Sequence, residues 1–336
     1  MNDSEGLRKF LGALFRESQG AIRFDHWMQD ALYHPEFGYY TVNIRDIGAR
    51  GDFTTWPVFE DSLAEGMARW LQARRPPRRP WHVIEIGAGT GALAHAMLKR
   101  LGRWKAPGYQ IVEISPVLQE KQKKLLRWRN VTWHTDLKSA LESVGGDAFL
   151  ISNELVDAFP ARAFRRTQAG WEELFVGIHQ GHVVEIWKSA EALPDSSAFD
   201  HEWKTGQRIE VQESFGQWLH HWSSSWKGGE MLLIDYGAGL PEIFRRRPQG
   251  TLRAYAHHQR LEGADILGGF GHRDITCDVN FSDVGRFAST AGITSRPSMD
   301  LRSFLGKSAS TQVFAEGGAA SQFQVMELKR TSAAIR

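Results

Sequence analysis

Val83-Ile-Glu-Ile-Gly87-Ala-Gly89-Thr-Gly91 is the stretch on which the reading of this chain turns. A short apolar, β-branched run leads straight into three alternating glycines, and a helix-like run from Ala92 to Leu101 follows. Strand, tight turn and helix in that order form the first βα unit of a nucleotide-binding sheet. Glycines there permit the turn and remove the Cβ atoms that would hold a nucleotide away from the backbone. Gly87-x-Gly89-x-x-Ala92 also satisfies the relaxed dinucleotide fingerprint, whose phosphates rest on the helix N-terminus. Two acids bear on the choice of ligand. Glu85 stands two residues before the first glycine, where an S-adenosylmethionine (SAM) site keeps an acid near the amino-acid end of the cofactor. Glu113 closes the next strand-like run, Tyr109-Gln-Ile-Val-Glu113, about 22 residues past the loop, where an acid grips ribose hydroxyls of either NAD or SAM. The glycine spacing with Glu85 favours SAM, and NAD stands as the alternative.

The pattern around this unit alternates strand and helix, which predicts an α/β fold with a parallel sheet. A strand over 81–86 leads to a helix over 92–101. A strand over 109–114 leads to a helix with Ser115 as N-cap, Pro116 in the first turn, and Leu118, Leu125 and Leu126 on one face. Val131-Thr-Trp-His134 reads as a third strand running out at Asp136, and Asp147 to Ser152 as a fourth, ending at Asn153-Glu154. Upstream lie three amphipathic helices, over 4–19, 24–32 and 60–71, and a stiff Arg/Pro linker over 74–80. Downstream, residues 161–190 alternate around Gly170 and Gly181 as a β-meander, and a helix carrying Phe215, Trp218, Leu219 and Trp222 follows. Met231 to Gly237 returns to the buried-strand type, 237–280 is a connection too long for a plain loop, and Gln322 to Leu328 closes as a strand. The expected organisation is an N-terminal helical region (1–75), the first part of a nucleotide-binding core (76–160), an inserted meander and helix (161–230), and the rest of the core with a substrate-side connection (231–336).

Composition excludes several classes. The 336 residues are 42% hydrophobic and 24% charged with a formal net charge of +2, which argues against nucleic acid or membrane insertion as the main engagement. One cysteine, Cys277, rules out an internal disulfide framework. His257-His258 and His272 lack ligand spacing, so no metal is expected. No secretory signal pattern opens the chain, and no run reaches the roughly 18 apolar residues of a membrane span; a soluble, cytoplasmic protein is expected.

Acids stand where successive core strands end: Glu85, Glu113, Asp136, Glu154 and Asp235. One such acid is an ordinary helix cap, but the series reads as a shared site, because open α/β sheets bind ligands beyond the carboxyl ends of their strands. Asp136 would meet the adenine amino group. Asn153-Glu-Leu-Val-Asp157-Ala-Phe-Pro160 follows the fourth strand, where the accepting nucleophile is positioned; a capped turn with Asn153 as N-cap is the alternative. Trp56, in the loop Gly51-Asp-Phe-Thr-Thr-Trp-Pro57, is a candidate substrate wall.

Taken together and in order, these segments resemble the MidA-like methyltransferases over nearly the whole chain. Ala31-Leu-Tyr-His-Pro-Glu-Phe-Gly-Tyr-Tyr40 is similar to the family's N-terminal signature and Gly51-Asp52-Phe-Thr-Thr55 to the start of its loop. Asn153-Glu-x-x-Asp157-Ala-x-Pro160, Asp235-Tyr236-Gly237, Gly250-Thr-Leu-Arg-Ala-Tyr255, His258 and Asp274-Ile-Thr276 follow in the same order. The resemblance implies a class I SAM-dependent methyltransferase with a Rossmann-like, seven-stranded, mostly parallel sheet, an N-terminal helical region and an inserted β-rich subdomain. It implies SAM held by Glu85, Gly87, Gly89, Gly91, Glu113, Asp136 and Asn153. It places Glu154, Asp157 and Asp235 at the chemistry and Asp52, Trp56, Tyr236, Tyr255, His258 and Asp274 on the acceptor side.

A mitochondrial member of that family methylates an arginine guanidinium of a respiratory complex I subunit, so the resemblance implies a protein acceptor of that kind. A small-molecule O- or N-methyltransferase and a non-catalytic SAM-binding assembly factor are the alternatives, because this chain departs from the family where substrate choice is set. The loop reads Trp56-Pro-Val58-Phe-Glu60 where the family has a small residue and a carboxylate, and Cys277-Asp278-Val-Asn280 replaces Ala-His-Val-Asp.

Overall fold

The computed structural model of the chain describes residues 3–44, 57–76, 80–102, 107–245, 247–256, 259–306 and 319–330. Asp52, Trp56 and His258 lie outside the described residues. The chain divides into two compact units that interleave along the sequence. One comprises Met1–Ile44, Ala158–Phe215 and Leu240–Asp278; the other comprises Arg45–Asp157, Gly216–Gly239 and Val279–Arg336.

The second of these carries the nucleotide-binding pattern. Its sheet runs Ile293–Ser295, Phe323–Arg330, Glu230–Ala238, Phe149–Asn153, His82–Ile86, Gly108–Val112, Val131–His134. Two short strands, Val279–Asn280 and Met299–Asp300, flank this path. The five strands from Glu230–Ala238 to Val131–His134 are mutually parallel. Phe323–Arg330 runs antiparallel to both its neighbours on the path. The sheet is therefore mixed and has nine strands among the described residues, where the family resemblance implies seven, mostly parallel. The sequence pattern itself marks six of these strands; the other three, of two or three residues each, carry no alternation long enough to read.

Parallel strands are covered on both faces, and this accounts for the unbroken apolar run Met231–Ile234 and for the burial of all of Val83–Ile86, Glu85 included. Val83, Tyr109, Ile111, Ile151 and Ile234 pack with Leu63, Met67, Leu71, Met97 and Leu98 in one core. From His82–Ile86 the chain builds outward through Gly108–Val112 to Val131–His134, then returns to place Phe149–Asn153 on the other side. This reversal makes the gap between the ends of His82–Ile86 and Phe149–Asn153 a topological switch point, where α/β sheets bind their ligands.

The helix Pro116–Leu125 corrects the sequence reading in one respect. Ser115 caps it, its side chain accepting from Leu118 N, and Leu118 and Leu126 are buried. Leu125 is instead 41% exposed, and Gln122 takes its place in the stripe 118–122–126.

The other unit contains the predicted meander, Arg162–Arg166, Trp171–His179 and His182–Ser189, in antiparallel pairing. Two strands that the sequence did not signal, Ala21–Arg23 and Arg208–Val211, extend it to a five-stranded sheet. Within the long 237–280 connection lies a three-stranded antiparallel sheet of Gln259–Leu261, Arg253–Ala256 and Asp274–Thr276. A buried polar network joins the apolar packing of Ala254, Ile266, Leu267 and Ile275 there. Glu210 accepts from Thr251 N at 2.9 Å and Oγ1 at 2.8 Å, and Thr251 Oγ1 accepts from Asp278 N at 3.0 Å. Arg247 and Arg253 both pair with Asp278.

Candidate active site

The turn after His82–Ile86 is built by glycines in left-handed geometry: φ is 69° at Gly87, 54° at Gly89 and 82° at Gly91. A side chain at any of the three would be strained, since L-residues with a Cβ rarely enter that region. Gly87 N donates to Val112 O at 2.9 Å, which ties the loop to the neighbouring strand. Gly91 caps the helix Ala92–Leu101.

The three acids at the ends of the adjacent strands differ in what holds them. Glu85 is buried beneath the loop, and its Oε2 accepts from Tyr109 Oη at 2.6 Å. Burial pushes its carboxyl up to about 7, the tyrosine hydroxyl opposing and the charge of Glu113 reinforcing the shift. Glu113 is 5% exposed; Oε1 accepts from Ser115 N at 2.9 Å and Oε2 from Gln122 Nε2 at 3.0 Å. Burial raises it as well, against those two donors and the Ile114 backbone. Two hydrogen bonds leave further acceptor capacity on that carboxylate. Asp136 is exposed and caps the helix Leu137–Ser143: Oδ1 accepts from Ser139 N at 2.8 Å and Oδ2 from Ser139 Oγ at 2.7 Å. Those hydrogen bonds hold its carboxyl below the usual carboxylate range.

Across the switch point, Phe149–Asn153 ends in a turn with unusual backbone geometry. Glu154 has φ of 52°, one of three described non-glycine residues at positive φ, and its N–H donates to Ile234 O at 3.0 Å. A single 3-10 turn, Val156–Ala158, follows. The turn is clamped from the neighbouring strand by Asp235, which is wholly buried. Its Oδ2 accepts from Val156 N at 2.7 Å, Leu155 N at 3.0 Å and Asp157 N at 3.4 Å, and Oδ1 from Tyr236 N at 2.9 Å. Burial drives the Asp235 carboxyl well above its ordinary value, and the neighbouring Asp157 and Glu154 carboxylates add to the shift against the backbone donors. Glu154, Asp157 and Asp235 thus form one carboxylate cluster. Asn153 Nδ2 donates to Glu154 Oε1 at 3.2 Å, while its own Oδ1 is buried with no hydrogen-bond partner among the described residues. Gly237 is obligatory in the following segment: its φ is 150°, and a Cβ there would lie 2.0 Å from Val279 O. Tyr236 packs on Phe323 with ring centroids 3.9 Å apart.

Tyr255 and Asp274 lie in the other unit, paired across the three-stranded sheet. Asp274 Oδ1 accepts from Tyr40 Oη at 2.8 Å, so the N-terminal segment 31–40 and the Asp274-Ile-Thr276 segment meet in that unit. Tyr255 Oη accepts from Arg253 Nε at 3.1 Å. Sequence reasoning missed Tyr109 and Gln122, the side chains that hold the two buried acids. The legible signal was a glutamine in the middle of an apolar i, i+4, i+8 stripe.

Comparison with known proteins identifies the family and the cofactor. Over 320 residues the chain is 26% identical to the protein arginine methyltransferase NDUFAF7, mitochondrial, of Danio rerio, covering 85% of this chain and 72% of that protein. The Mus musculus protein of the same name is 26% identical over 325 residues, 86% and 71% of the two chains. A Burkholderia thailandensis protein solved with bound S-adenosyl-homocysteine superposes with a TM-score of 0.84 at 25% identity, covering 98% of this chain and 92% of that one. These relatives correct the expectation of a cytoplasmic protein, since the curated ones are mitochondrial. The fold is that of a SAM-dependent methyltransferase, and SAM is the cofactor. Residues 62–298 match the family of putative S-adenosyl-L-methionine-dependent methyltransferases, and the chain belongs to that family.

Proposed function

We propose that the chain methylates the guanidinium of an arginine in a protein, with Glu154 and Asp157 as the residues that receive it. The observation that carries this reading is the carboxylate cluster at the end of Phe149–Asn153, with Glu154 held in left-handed geometry and the turn clamped by Asp235. That the curated relatives are named protein arginine methyltransferases supports it.

SAM, when bound, supplies a methyl group already activated on a sulfonium. The loop Gly87–Gly91 fits an adenosyl ligand because its three glycines hold a tight left-handed turn at the switch point, where Glu85, Glu113, Asp136 and the unpartnered Oδ1 of Asn153 stand at the neighbouring strand ends. Alignment of donor and acceptor dominates such a transfer, and rigid turns supply it. An arginine side chain, with a pKa of roughly 12.5–13.8, presents almost no neutral nucleophile at pH 7. Carboxylates at Glu154 and Asp157 orient the guanidinium through charge-assisted hydrogen bonds, and Glu154 takes up the proton that leaves the attacking nitrogen. Asp235, fully occupied by backbone donors, positions the turn and does not reach the acceptor.

The test is transfer from methyl-labelled SAM into a lysate lacking the endogenous enzyme, followed by acid hydrolysis and amino-acid analysis. Label in methylarginine, lost with Glu154→Gln while SAM affinity stays within a few fold, is the expected result. Label confined to small molecules, or wild-type turnover by Glu154→Gln, would overturn the assignment.

A further inference from the structure

Gln122 touches three separate parts of the cofactor end of the sheet. Its Nε2 donates to Gly89 O at 2.8 Å and to Glu113 Oε2 at 3.0 Å, and its Oε1 accepts from Trp133 Nε1 at 3.0 Å. The side chain is wholly buried in a helix stripe otherwise made of Leu118 and Leu126. A polar group in such a place is tolerated only when its hydrogen bonds are made, and here both N–H groups and the oxygen are engaged. The orientation of the amide is fixed by its partners. An indole N–H only donates and a backbone carbonyl only accepts, so exchanging the amide oxygen and nitrogen would break all three contacts at once. The fit is also close in space, since a Cβ on Gly91 would lie 3.2 Å from Gln122 Cγ.

We propose that Gln122 is a positioning residue for the cofactor, orienting the Glu113 carboxylate toward the ribose hydroxyls and fixing the central glycine of the loop in the same act. The proposal rests on the reading of Glu113 as the ribose acid. Glu113 carries two donors, Ser115 N on one oxygen and Gln122 Nε2 on the other. Between them these set the rotation of the carboxyl plane and so decide where its remaining lone pairs aim. Without the amide, one oxygen of a buried carboxylate loses its donor and the plane is held at one end only. Trp133 acts one step further back, as the donor that prevents the amide from turning over.

The experiment is a chemical double-mutant cycle by calorimetry, with S-adenosyl-homocysteine and its 2′-deoxy analogue as probes, on wild type and Gln122→Leu. Wild type should prefer the hydroxylated probe by roughly ten- to hundredfold, the size of a hydrogen bond to a charged group. Gln122→Leu should collapse that preference to a few fold while weakening the deoxy probe much less. Should Gln122→Leu fail to fold by circular dichroism, Trp133→Phe removes only the orienting donor and should lower the preference in the same direction by a smaller factor. A preference retained in full by the variants, with both probes weakened equally, would show a merely structural role and overturn the proposal. No preference in the wild type would instead overturn the ribose reading of Glu113, and this proposal with it.

Discussion

Replacing Glu85 with glutamine tests whether the acid beneath the glycine loop is held against water as the structure shows. Its carboxyl is fully buried and accepts one hydrogen bond, from Tyr109 Oη at 2.6 Å. Its pKa rises from the ordinary 4.5 to about 7 in the folded chain. Between those values the folded state binds more protons than the unfolded state, so stability falls as pH climbs through that window and levels off above it. The whole shift corresponds to about 3 kcal/mol, and most of it falls between pH 5 and pH 8. Glutamine keeps the shape and the acceptor for Tyr109 but cannot ionise. It leaves an amide N–H₂ to be satisfied, an offset of about 1–3 kcal/mol that does not depend on pH. The slope is therefore the diagnostic quantity. Urea unfolding followed by circular dichroism at pH 5 and pH 8 should show Glu85→Gln gaining roughly 2–3 kcal/mol on wild type between the two. Tyr109→Phe, which removes the donor that favours the charged form, should make the wild-type decline steeper. Equal pH dependence in wild type and Glu85→Gln would refute the argument, because a solvated carboxylate has no such linkage.

Two further substitutions probe the cofactor loop and the acceptor turn. Gly89→Val forces a β-branched side chain into left-handed geometry at φ 54° in the middle of the loop, and calorimetry should find SAM binding lost. Unchanged affinity would remove the loop from the site. Asp235→Ala strips the acceptors from Leu155, Val156 and Tyr236 N–H groups, at about 1–3 kcal/mol for each donor left buried and unsatisfied. Turnover should fall at least a hundredfold, roughly the effect of misplacing reacting groups by about 1 Å, with SAM affinity kept within a few fold; near-normal turnover would show that the turn holds itself.

The strand–loop–helix unit at 83–101 was legible because each local signal agrees with the fold: an apolar run buried on both faces, three glycines at positive φ, and a helix with Met97 and Leu98 inward. Ser115 and Pro116 likewise announced their helix correctly, since capping is a local interaction. What escaped depends on partners distant in sequence. Ala21–Arg23 is a strand only because Trp171–His179 lies ready to pair with it, and Arg208–Val211 is one because of Arg162–Arg166. The 237–280 connection was harder to read because its short strands are tied partly by buried hydrogen bonds among Glu210, Thr251, Arg253 and Asp278, and hydrophobic periodicity does not register polar networks. Leu125 was misplaced for a related reason: hydrophobicity favoured it for the interior, but three hydrogen bonds draw Gln122 there instead.

The five strand-end acids, similar as letters, are sorted by the demands already made on their oxygens. Asp136, with one donor on each oxygen like Glu113, is exposed and caps a helix. Asp235 accepts backbone N–H groups on both oxygens and is wholly buried, so it clamps the turn. Glu85 lies under the loop with a tyrosine hydroxyl, and Glu113 divides itself between Ser115 and Gln122 with acceptor capacity left over. Glu154 differs from all of these in its backbone. Left-handed geometry at a residue with a long side chain costs about 1–3 kcal/mol and persists only where the surroundings over-determine it. Here Ile234 O takes its N–H while Asp235 takes the next three. A helix cap alone would need none of this, because an ordinary N-cap sits in extended geometry and caps through its own side chain. The strain is explained if the strand must deliver a carboxylate at its very end, beside Asp157, at the switch point where the sheet opens.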